Sequence, residues 1–416
     1  MAVVTTMLSD DQARALRLRS LLLATPVARS SSTDDAPAAG TPESHQAHLT
    51  PAGVVEWFGA MQAQDVASGH WSFGVRLPGS TDADIERATA ERQIVRTWPM
   101  RGTIHFVPPA DVTWMLQLTG IRMLRGLDRR WSILDTDRVT VLAAAEAIGD
   151  ILSDPGHVSS EDPEPDGSAR ARNGTANPLT RAQILASLQQ RGIDASGQRG
   201  YHYLWYACQT GVAVIGPQRG KEQTFALAAD WLPPQRDLTR DEALRTLAER
   251  FFRSHGPAPA ADFTGWTGLT ASDTKAAVAA LGSELTSVSV GDREMLCPTT
   301  ALDVPGWQQG VRRAAPPLVL PGFDEFLLGY KDRTLAADAE TMAAVIPGGN
   351  GVFRNTIVVG GRVAATWTRK VRAKRIDVEV HTLSDWRPSA AAQRRLAKAF
   401  DRFGEFLGRP ASVSYT

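Results

Sequence analysis

Residues 180–226, TRAQILASLQQRGIDASGQRGYHYLWYACQTGVAVIGPQRGKEQTFA, decide the predicted fold. Thr180-Arg181-Ala182-Gln183 is a capping pattern that opens a helix running through Leu188. A Gly-containing turn then leads to a second helix over 201–209, and two short strands follow at 212–215 and 223–226. A further helical pattern over 137–152 precedes this stretch. The order helix, helix, turn, helix, hairpin predicts a winged helix-turn-helix unit.

The same order recurs on both sides of this stretch. Helical patterns cover 9–22, 50–61, 82–90, 241–254, 260–267 and 271–281, and strand-like hairpins cover 94–107 and 285–297. Gly102 and Gly291 fall where the two hairpins must turn. Repeats spaced by roughly a hundred residues are whole domains rather than solenoid repeats.

The remainder of the chain changes character and is rich in strands. Strand patterns cover 319–330, 352–359, 362–368 and 376–382, and a final helix covers 390–407. They predict a small C-terminal barrel or sandwich. The predicted α+β chain therefore has winged-helix units at 1–135, 136–235 and 236–315 and a β-rich domain at 316–416. Segments near 29–47 and 153–177, rich in Ser, Pro, Gly and acidic residues, are predicted to be disordered or surface insertions.

Bulk composition limits the class of protein. The chain has 416 residues, 43% of them hydrophobic and 22% charged, which is typical of a globular protein. No stretch approaches the roughly 18 unbroken apolar residues of a membrane helix, and the N-terminus lacks a signal-peptide pattern. Two scattered cysteines, Cys208 and Cys297, predict neither a disulfide framework nor a metal knuckle. These features favour a reducing cytoplasm.

The net charge is zero, with 45 basic and 45 acidic residues, so the total gives no sign of a nucleic-acid ligand. The distribution of charge along the chain matters more than its sum. The sequence has no dinucleotide-binding, Walker, HExxH or GxSxG motif, and we predict neither a metal nor a cofactor. Histidines 70, 105, 202 and 255 stand alone and fit structural roles best.

Four segments carry a resemblance to a known family. They are Met61 to Asp65 (MQAQD), Arg101 to Phe106 (RGTIHF), Tyr203 to Ala207 (YLWYA) and Leu320 to Arg333 (LPGFDEFLLGYKDR). In this order they resemble the winged-helix superfamily that contains the AlkZ and YcaQ glycosylases. The resemblance covers nearly the whole chain outside the two insertions. It implies three tandem winged helix-turn-helix units in a C shape, followed by a C-terminal β-barrel-like domain.

The resemblance also implies catalytic roles for Gln62 and Gln64. In that family two catalytic groups lie at the end of the second helix, as Gln-apolar-Gln in the AlkZ branch and Gln-apolar-Asp in the YcaQ branch. Gln62-Ala63-Gln64 matches the AlkZ branch. The pattern alone favours ordinary polar residues at a helix end, so the catalytic assignment depends on the flanking motifs.

Glycosidic chemistry gives the two glutamines a physical task. An N7-alkylated guanine is cationic and leaves C1′ as a neutral base, so its departure needs little acid catalysis. What remains is to stabilise an oxocarbenium-like sugar and to place a water at C1′. A carboxamide oxygen can accept a hydrogen bond from that water, provided the backbone turns or the helix ends near the pair. Asp65 adds negative charge beside the cation.

Basic residues supply candidate DNA contacts. Residues 352–375 contain seven Arg and Lys side chains and no acidic one, which suits phosphate contacts or a solvated hairpin. From this run we predict DNA binding by Arg369, Lys370, Arg372 and Lys374. Arg219 and Lys221 are predicted contacts at the tip of the second hairpin. Arg101 and His105 are predicted contacts beside the first.

The resemblance thus implies a monofunctional DNA glycosylase that uses water to release bulky N7-alkylpurine adducts, with interstrand crosslinks as a further candidate substrate. Its expected partner is double-stranded DNA carrying alkylated purines, bound by a monomer without a membrane. The alternative is a non-catalytic winged-helix DNA-binding protein or transcriptional regulator, although such regulators usually pair two identical protomers. A third hypothesis is a hydrolase of another substrate in the C-terminal domain, and it is supported only by the carboxylates of Asp324, Glu325 and Asp332.

Overall fold

The computed structural model describes residues 6–24, 49–154, 177–311, 315–383 and 386–416. The predicted insertion near 29–47 lies outside the described residues, as do positions 155–176 of the second predicted insertion. The chain divides into two compact units. The first unit is Met1–Asp82 together with Leu244–Thr416, and the second unit is Ala83–Ala243.

Most of the predicted elements form. The strands are β1 Thr6–Leu8, β2 Met61–Gln62, β3 Val95–Met100, β4 Thr103–Val107, β5 Leu179–Thr180, β6 Ala213–Ile215, β7 Thr224–Leu227, β8 Leu285–Val290, β9 Arg293–Pro298, β10 Leu318–Leu320, β11 Asn355–Val359, β12 Arg362–Val371, β13 Ile376–Thr382 and β14 Ala411–Tyr415. The α-helices span Asp10–Ser20, Pro51–Phe58, Val66–Arg76, Asp82–Ala90, Val112–Leu118, Asp128–Ile133, Arg138–Ser153, Arg181–Gln190, Arg199–Gln209, Ala228–Trp231, Arg240–His255, Ala260–Thr267, Ala271–Leu281, Glu325–Leu328, Ala339–Val345 and Ala390–Phe406. The predicted capping boxes at Ser9 and Thr180 are both present. Each cap side chain accepts from the backbone N–H three residues on, and each cap backbone N–H donates to the side-chain oxygen of the Gln at that position.

The second unit is organised around a sheet in which β4, β3, β6, β7 and β5 are successive neighbours. The first two predicted hairpins both contribute to it, since β3 pairs antiparallel with β6 through Arg96 and Ile215. Arg101 and Gly102 make the turn between β3 and β4 with φ of 54° and 69°. The side chain of Gln209 donates to the carbonyl of Trp98 at 2.9 Å and ties a helix to this sheet. Segments predicted as separate winged-helix units therefore share one sheet.

In the first unit, the third predicted hairpin gains a strand that the sequence does not predict. Strand β1 runs parallel to β8, giving the order β1-β8-β9. Leu8, Val288, Val290 and Met295 belong to the core on which the helix Asp10–Ser20 packs. Apolar burial of this kind stabilises a three-residue strand that could not persist alone.

The C-terminal strands form an open five-stranded sheet with the order β10-β11-β12-β13-β14. The expectation of a β-barrel is wrong: in the part of the chain that the structure describes, β10 and β14 remain edges. The helix Ala390–Phe406 covers one face instead, with Phe400 and Phe403 5.3 and 5.2 Å from the ring of Trp367. That helix returns the chain so that β14 lies parallel to β13.

The open sheet belongs to the first unit, together with the helices that flank Gln62 and Gln64. Trp71 shows the connection, because its indole N–H donates to Val319 at 2.8 Å and its ring contacts Phe403 at 4.9 Å. The division into four domains and the winged-helix arrangement stay predictions. Among the described helices, none is long and apolar enough to cross a membrane.

Candidate active site

The Gln62-Ala63-Gln64 segment lies between two helices rather than at the end of one. The helix Pro51–Phe58 ends at Gly59, whose φ of 78° is costly for residues with a Cβ. Met61 and Gln62 are extended, and the chain bends at Gln64. The predicted second helix therefore ends before Met61, and the backbone turns near the two glutamines, which is the condition for both carboxamides to face one point.

Asp65 starts the next helix, Val66–Arg76, by accepting a hydrogen bond from the backbone N–H of Ser68 at 2.8 Å. A carboxylate is a favourable cap because it satisfies free N–H groups and lies at the positive end of the helix dipole. The segment is thus confined on one side by the glycine that ends a helix and on the other by the carboxylate that begins one.

The two glutamines differ in exposure. Gln62 is 9% exposed, whereas Gln64 is exposed to solvent and Ala63 between them is fully buried. Among the described residues, no donor reaches the buried Oε1 of Gln62. Leaving a buried acceptor unsatisfied costs about 1–3 kcal/mol, so a hydrogen bond from a bound molecule to this oxygen would be stabilising.

Glu325 holds the main chain of this segment. Its Oε1 accepts from the backbone N–H of Gln62 at 3.0 Å, and its Oε2 accepts from the indole N–H of Trp266 at 3.1 Å. The same Oε2 lies 3.3 Å from Nε2 of His255. Glu325 is only 3% exposed, so its charge is compensated by these neighbours rather than by water.

His255 is fully buried in an aromatic surrounding. Its ring stacks on Phe251 at 4.7 Å and meets the edge of Phe58 at 5.7 Å. Its Nδ1 lies 2.8 Å from the hydroxyl of Ser254. A Cβ at position 329 would come within 2.2 Å of the His255 ring, which explains the glycine in the LLGYK part of the motif.

Asp324 fixes the helix that follows the glutamines. Its carboxylate accepts two bonds from the guanidinium of Arg76, at 2.8 and 3.0 Å, and one from the hydroxyl of Ser72 at 2.8 Å. Asp332 instead contacts Arg293 at 3.2 Å and its own loop. The three carboxylates of the hydrolase reading therefore face separate partners, and Asp324 and Glu325 support the Gln62 segment.

Arg369, predicted as a phosphate contact, is half-buried. Its guanidinium lies 5.8 Å from the ring of Trp367 and 5.6 Å from that of Phe403. Burial lowers the pKa of Arg369, while the nearby carboxylates of Asp65 and Asp82 act in the opposite direction. The structure thus places this cation against the core and near the cap that follows Gln64.

Lys370, Arg372 and Lys374 are exposed around the end of the β12–β13 hairpin. Arg372 binds Asp377, and Arg375 donates to the same carboxylate at 2.7 Å. These bonds lower the pKa of Asp377. The basic run 352–375 therefore lies next to the carboxylate of Asp377. Arg372 and Arg375 pair with it, so Lys370 and Lys374 contribute most of the positive charge that remains unpaired in this hairpin.

The second unit carries the other predicted contacts. Arg101 is half-buried at the β3–β4 turn, and Arg219 is half-buried with its guanidinium donating to Pro178 at 3.0 Å. Lys221 is exposed. His105 is fully buried, with Nδ1 2.9 Å from the carbonyl of Thr103, so in this structure it has no surface from which to touch DNA.

The sequence does not indicate that Glu325, His255 and Trp266 together support the glutamine segment. In the sequence, Glu325 is only a candidate hydrolytic carboxylate, and His255 is only an isolated histidine that fits a structural role. The one available signal was that Glu325 lies within the Leu320-to-Arg333 motif, far from Gln62 along the chain.

Comparisons with known proteins show a family and a similar fold. A family model described as DNA glycosylase AlkZ-like matches residues 55–406. An interstrand DNA cross-link repair glycosylase of Streptomyces sahachiroi is 25% identical over 372 residues, which cover 85% of this chain and 89% of that protein. The solved structure of the Streptomyces sahachiroi DNA glycosylase AlkZ has a similar fold, with a TM-score of 0.71 over 98% of this chain and 100% of that chain, at 21% identity.

Proposed function

The chain belongs to the DNA glycosylase AlkZ-like family, and from this premise we propose that it hydrolyses the N-glycosidic bond of bulky N7-alkylpurine adducts in duplex DNA. Interstrand crosslinks are among the proposed substrates, because the Streptomyces sahachiroi relative is named for their repair. The observation that carries the proposal is the buried Oε1 of Gln62, which no donor of the described residues satisfies.

In the proposed reaction, a water oxygen bonds to C1′ while the bond from C1′ to the purine nitrogen breaks. The electron pair of that bond goes to the purine and cancels its positive charge. Gln62 Oε1 accepts a hydrogen bond from the water, and a proton of the water passes to solvent. The carboxamide of Gln64 is exposed, and its proposed role is to contact the sugar or the same water. Positioning of this kind can contribute several kcal/mol to a reaction that has a good leaving group.

We propose that a single chain acts on the duplex in the cytoplasm. Lys370 and Lys374 in the first unit and Lys221 in the second are the proposed phosphate contacts with the most available charge, since all three are exposed. Arg372 is a weaker candidate because it shares Asp377 with Arg375. Arg101 and Arg219 remain proposed contacts at the turns of the two hairpins.

A base-release assay tests the function. Duplexes of one sequence, and then of a second unrelated sequence, would carry N7-methylguanine, a bulky N7-guanine adduct or uracil. We expect release of the two cationic lesions in both sequences and no release of uracil, because its departure requires an acid. Efficient uracil release would contradict the mechanism. Sequence-dependent binding without any released base would indicate a regulator that reads the major groove.

A further inference from the structure

We propose that Glu325 is a positioning residue for excision and acts through Gln62. The inference rests on the proposed function. It starts from the bond between Glu325 Oε1 and the backbone N–H of Gln62, 3.0 Å long and buried between residues 263 positions apart in sequence. This bond fixes the main chain of Gln62 while leaving the carboxamide oxygen available for the water.

Both oxygens of Glu325 are used, and their partners lie on different elements. Oε1 faces the glutamine segment, whereas Oε2 faces Trp266 and His255 at 3.1 and 3.3 Å. Those two residues belong to the helices Ala260–Thr267 and Arg240–His255. Glu325 thereby connects a two-residue strand, which has little stability of its own, to the aromatic core of the first unit.

The chemistry of the partners explains a carboxylate at this position. Gln62 and Trp266 present N–H groups that can only donate, so both oxygens of the side chain must accept. An amide at position 325 keeps one acceptor and turns an NH₂ group toward a second donor. Glu325→Gln therefore preserves the bond to Gln62 at the expense of the contact with Trp266.

The packing of His255 also restricts the position of the Glu325 carboxylate. His255 lies against Glu325 Oε2 and is enclosed by aromatic rings, and Gly329 leaves it just enough room. A methyl group at position 329 must displace the His255 ring without removing any hydrogen-bonding group. Gly329→Ala therefore disturbs the support of Glu325 sterically, and we expect a partial loss of excision from it.

Single-turnover excision of an N7-methylguanine duplex tests the inference in wild type, Glu325→Ala, Glu325→Gln, Gln62→Ala and the Gln62→Ala/Glu325→Ala double variant. We expect Glu325→Ala to slow excision by about a hundredfold, as for a misplacement of about 1 Å. Glu325→Gln should retain about ten times more activity than Glu325→Ala. In the Gln62→Ala background, removing Glu325 should cost at most about threefold further, because the side chain it positions is already absent.

Asp262→Ala is the matched control. Asp262 is also buried, at 2% exposed, and also accepts from the main chain, at 2.9 Å from the N–H of Lys331, but it does not contact the glutamine segment. We expect it to lower the unfolding temperature while excision stays within about threefold of wild type. Equal losses from Glu325→Ala with and without Gln62 would overturn the positioning role, as would equal activity of Glu325→Ala and Glu325→Gln. A wild-type protein that releases no base would overturn the proposed function itself.

Discussion

Arg76 and Asp324 form a two-point ion pair in the core of the first unit, with N–O distances of 2.8 and 3.0 Å and side chains 0% and 3% exposed. Arg76 ends the helix that follows the glutamine segment, and its Nε also donates to the carbonyl of Leu21. Asp324 precedes Glu325, which contacts Gln62 directly. Two adjacent acidic residues thus hold both sides of the Gln62-to-Asp65 segment.

Removing one partner of this pair should be strongly destabilising. Asp324→Ala leaves the Arg76 guanidinium buried without its counterion, and we expect it to lower the free energy of unfolding by about 3–5 kcal/mol. Denaturant unfolding measures the loss. Glu284→Ala is a suitable control, because Glu284 pairs with Arg245 at the surface of the same unit and should contribute at most about 1 kcal/mol. Equal losses in the free energy of unfolding would show that the buried pair stabilises the fold no more than the surface pair does.

Gln62→Met should separate stability from activity. Methionine has a similar length and no acceptor oxygen, so it removes the unsatisfied buried group while keeping the backbone N–H that Glu325 binds. We expect the free energy of unfolding to rise by about 1 kcal/mol and excision to fall by two to three orders of magnitude.

The comparison variant is Gln64→Ala, which alters an exposed side chain. It should reduce excision to a similar extent without the gain in stability. Affinity for undamaged DNA should hardly change in either variant, since neither residue is charged. Undiminished excision by both would remove the catalytic assignment.

Local signals in the sequence predict most of the elements of this fold. The capping boxes at Ser9 and Thr180 and the hairpins that turn at Gly102 and Gly291 depend on residues within a few positions of one another. Strand β1 shows where such signals stop. Its three residues pair with β8, and nothing near Thr6 along the chain indicates that partner.

The site follows the same rule. The Gln62-Ala63-Gln64 pattern can be found by its resemblance to a family motif, but the bond from Glu325 to Gln62 joins residues 263 positions apart. Residues 352–375 contain no acidic residue, but this does not show which acidic residues lie near them in the folded chain. Across the β12–β13 hairpin, Lys370 lies opposite Asp377. Pairings set by tertiary structure are invisible to periodicity and composition.

The second unit should lose stability in mild acid through His202. This ring is 6% exposed and its Nε2 accepts from the indole of Trp131 at 3.0 Å, so it must be neutral there. Burial, with a smaller contribution from Arg130, lowers the pKa of His202 from 6.5 to about 4. Between these two values the unfolded chain binds a proton that the folded chain does not. The free energy of unfolding should therefore fall as the pH drops from about 6.5 to about 4 and level off below.

The pH dependence can be assigned by substitution. The amide oxygen of His202→Gln can still accept from Trp131 but does not titrate, so the urea midpoint of this variant should change less between pH 6.5 and 4 than that of wild type. The other carboxylates and histidines remain in both proteins and provide the common background. Identical pH profiles would mean that His202 does not contribute in this range.

The β12–β13 hairpin should contact DNA through its lysines rather than through Arg369. Lys370 and Lys374 are exposed, whereas Arg369 is half-buried over Trp367 and Phe403 and near the carboxylate of Asp65. Each phosphate contact contributes about 0.9 to the slope of log affinity against log salt, so Lys370→Ala/Lys374→Ala should flatten that slope by about two. The loss should be the same for damaged and undamaged duplexes, because phosphates carry no lesion.

Arg369→Ala should leave the slope unchanged and lower the unfolding temperature, since it removes cation–π contacts from the core. Affinity titrations between about 50 and 200 mM salt, paired with thermal unfolding, distinguish the two roles. If Arg369→Ala changes the slope and Lys370→Ala/Lys374→Ala does not, then Arg369 contacts the phosphates and the two lysines do not.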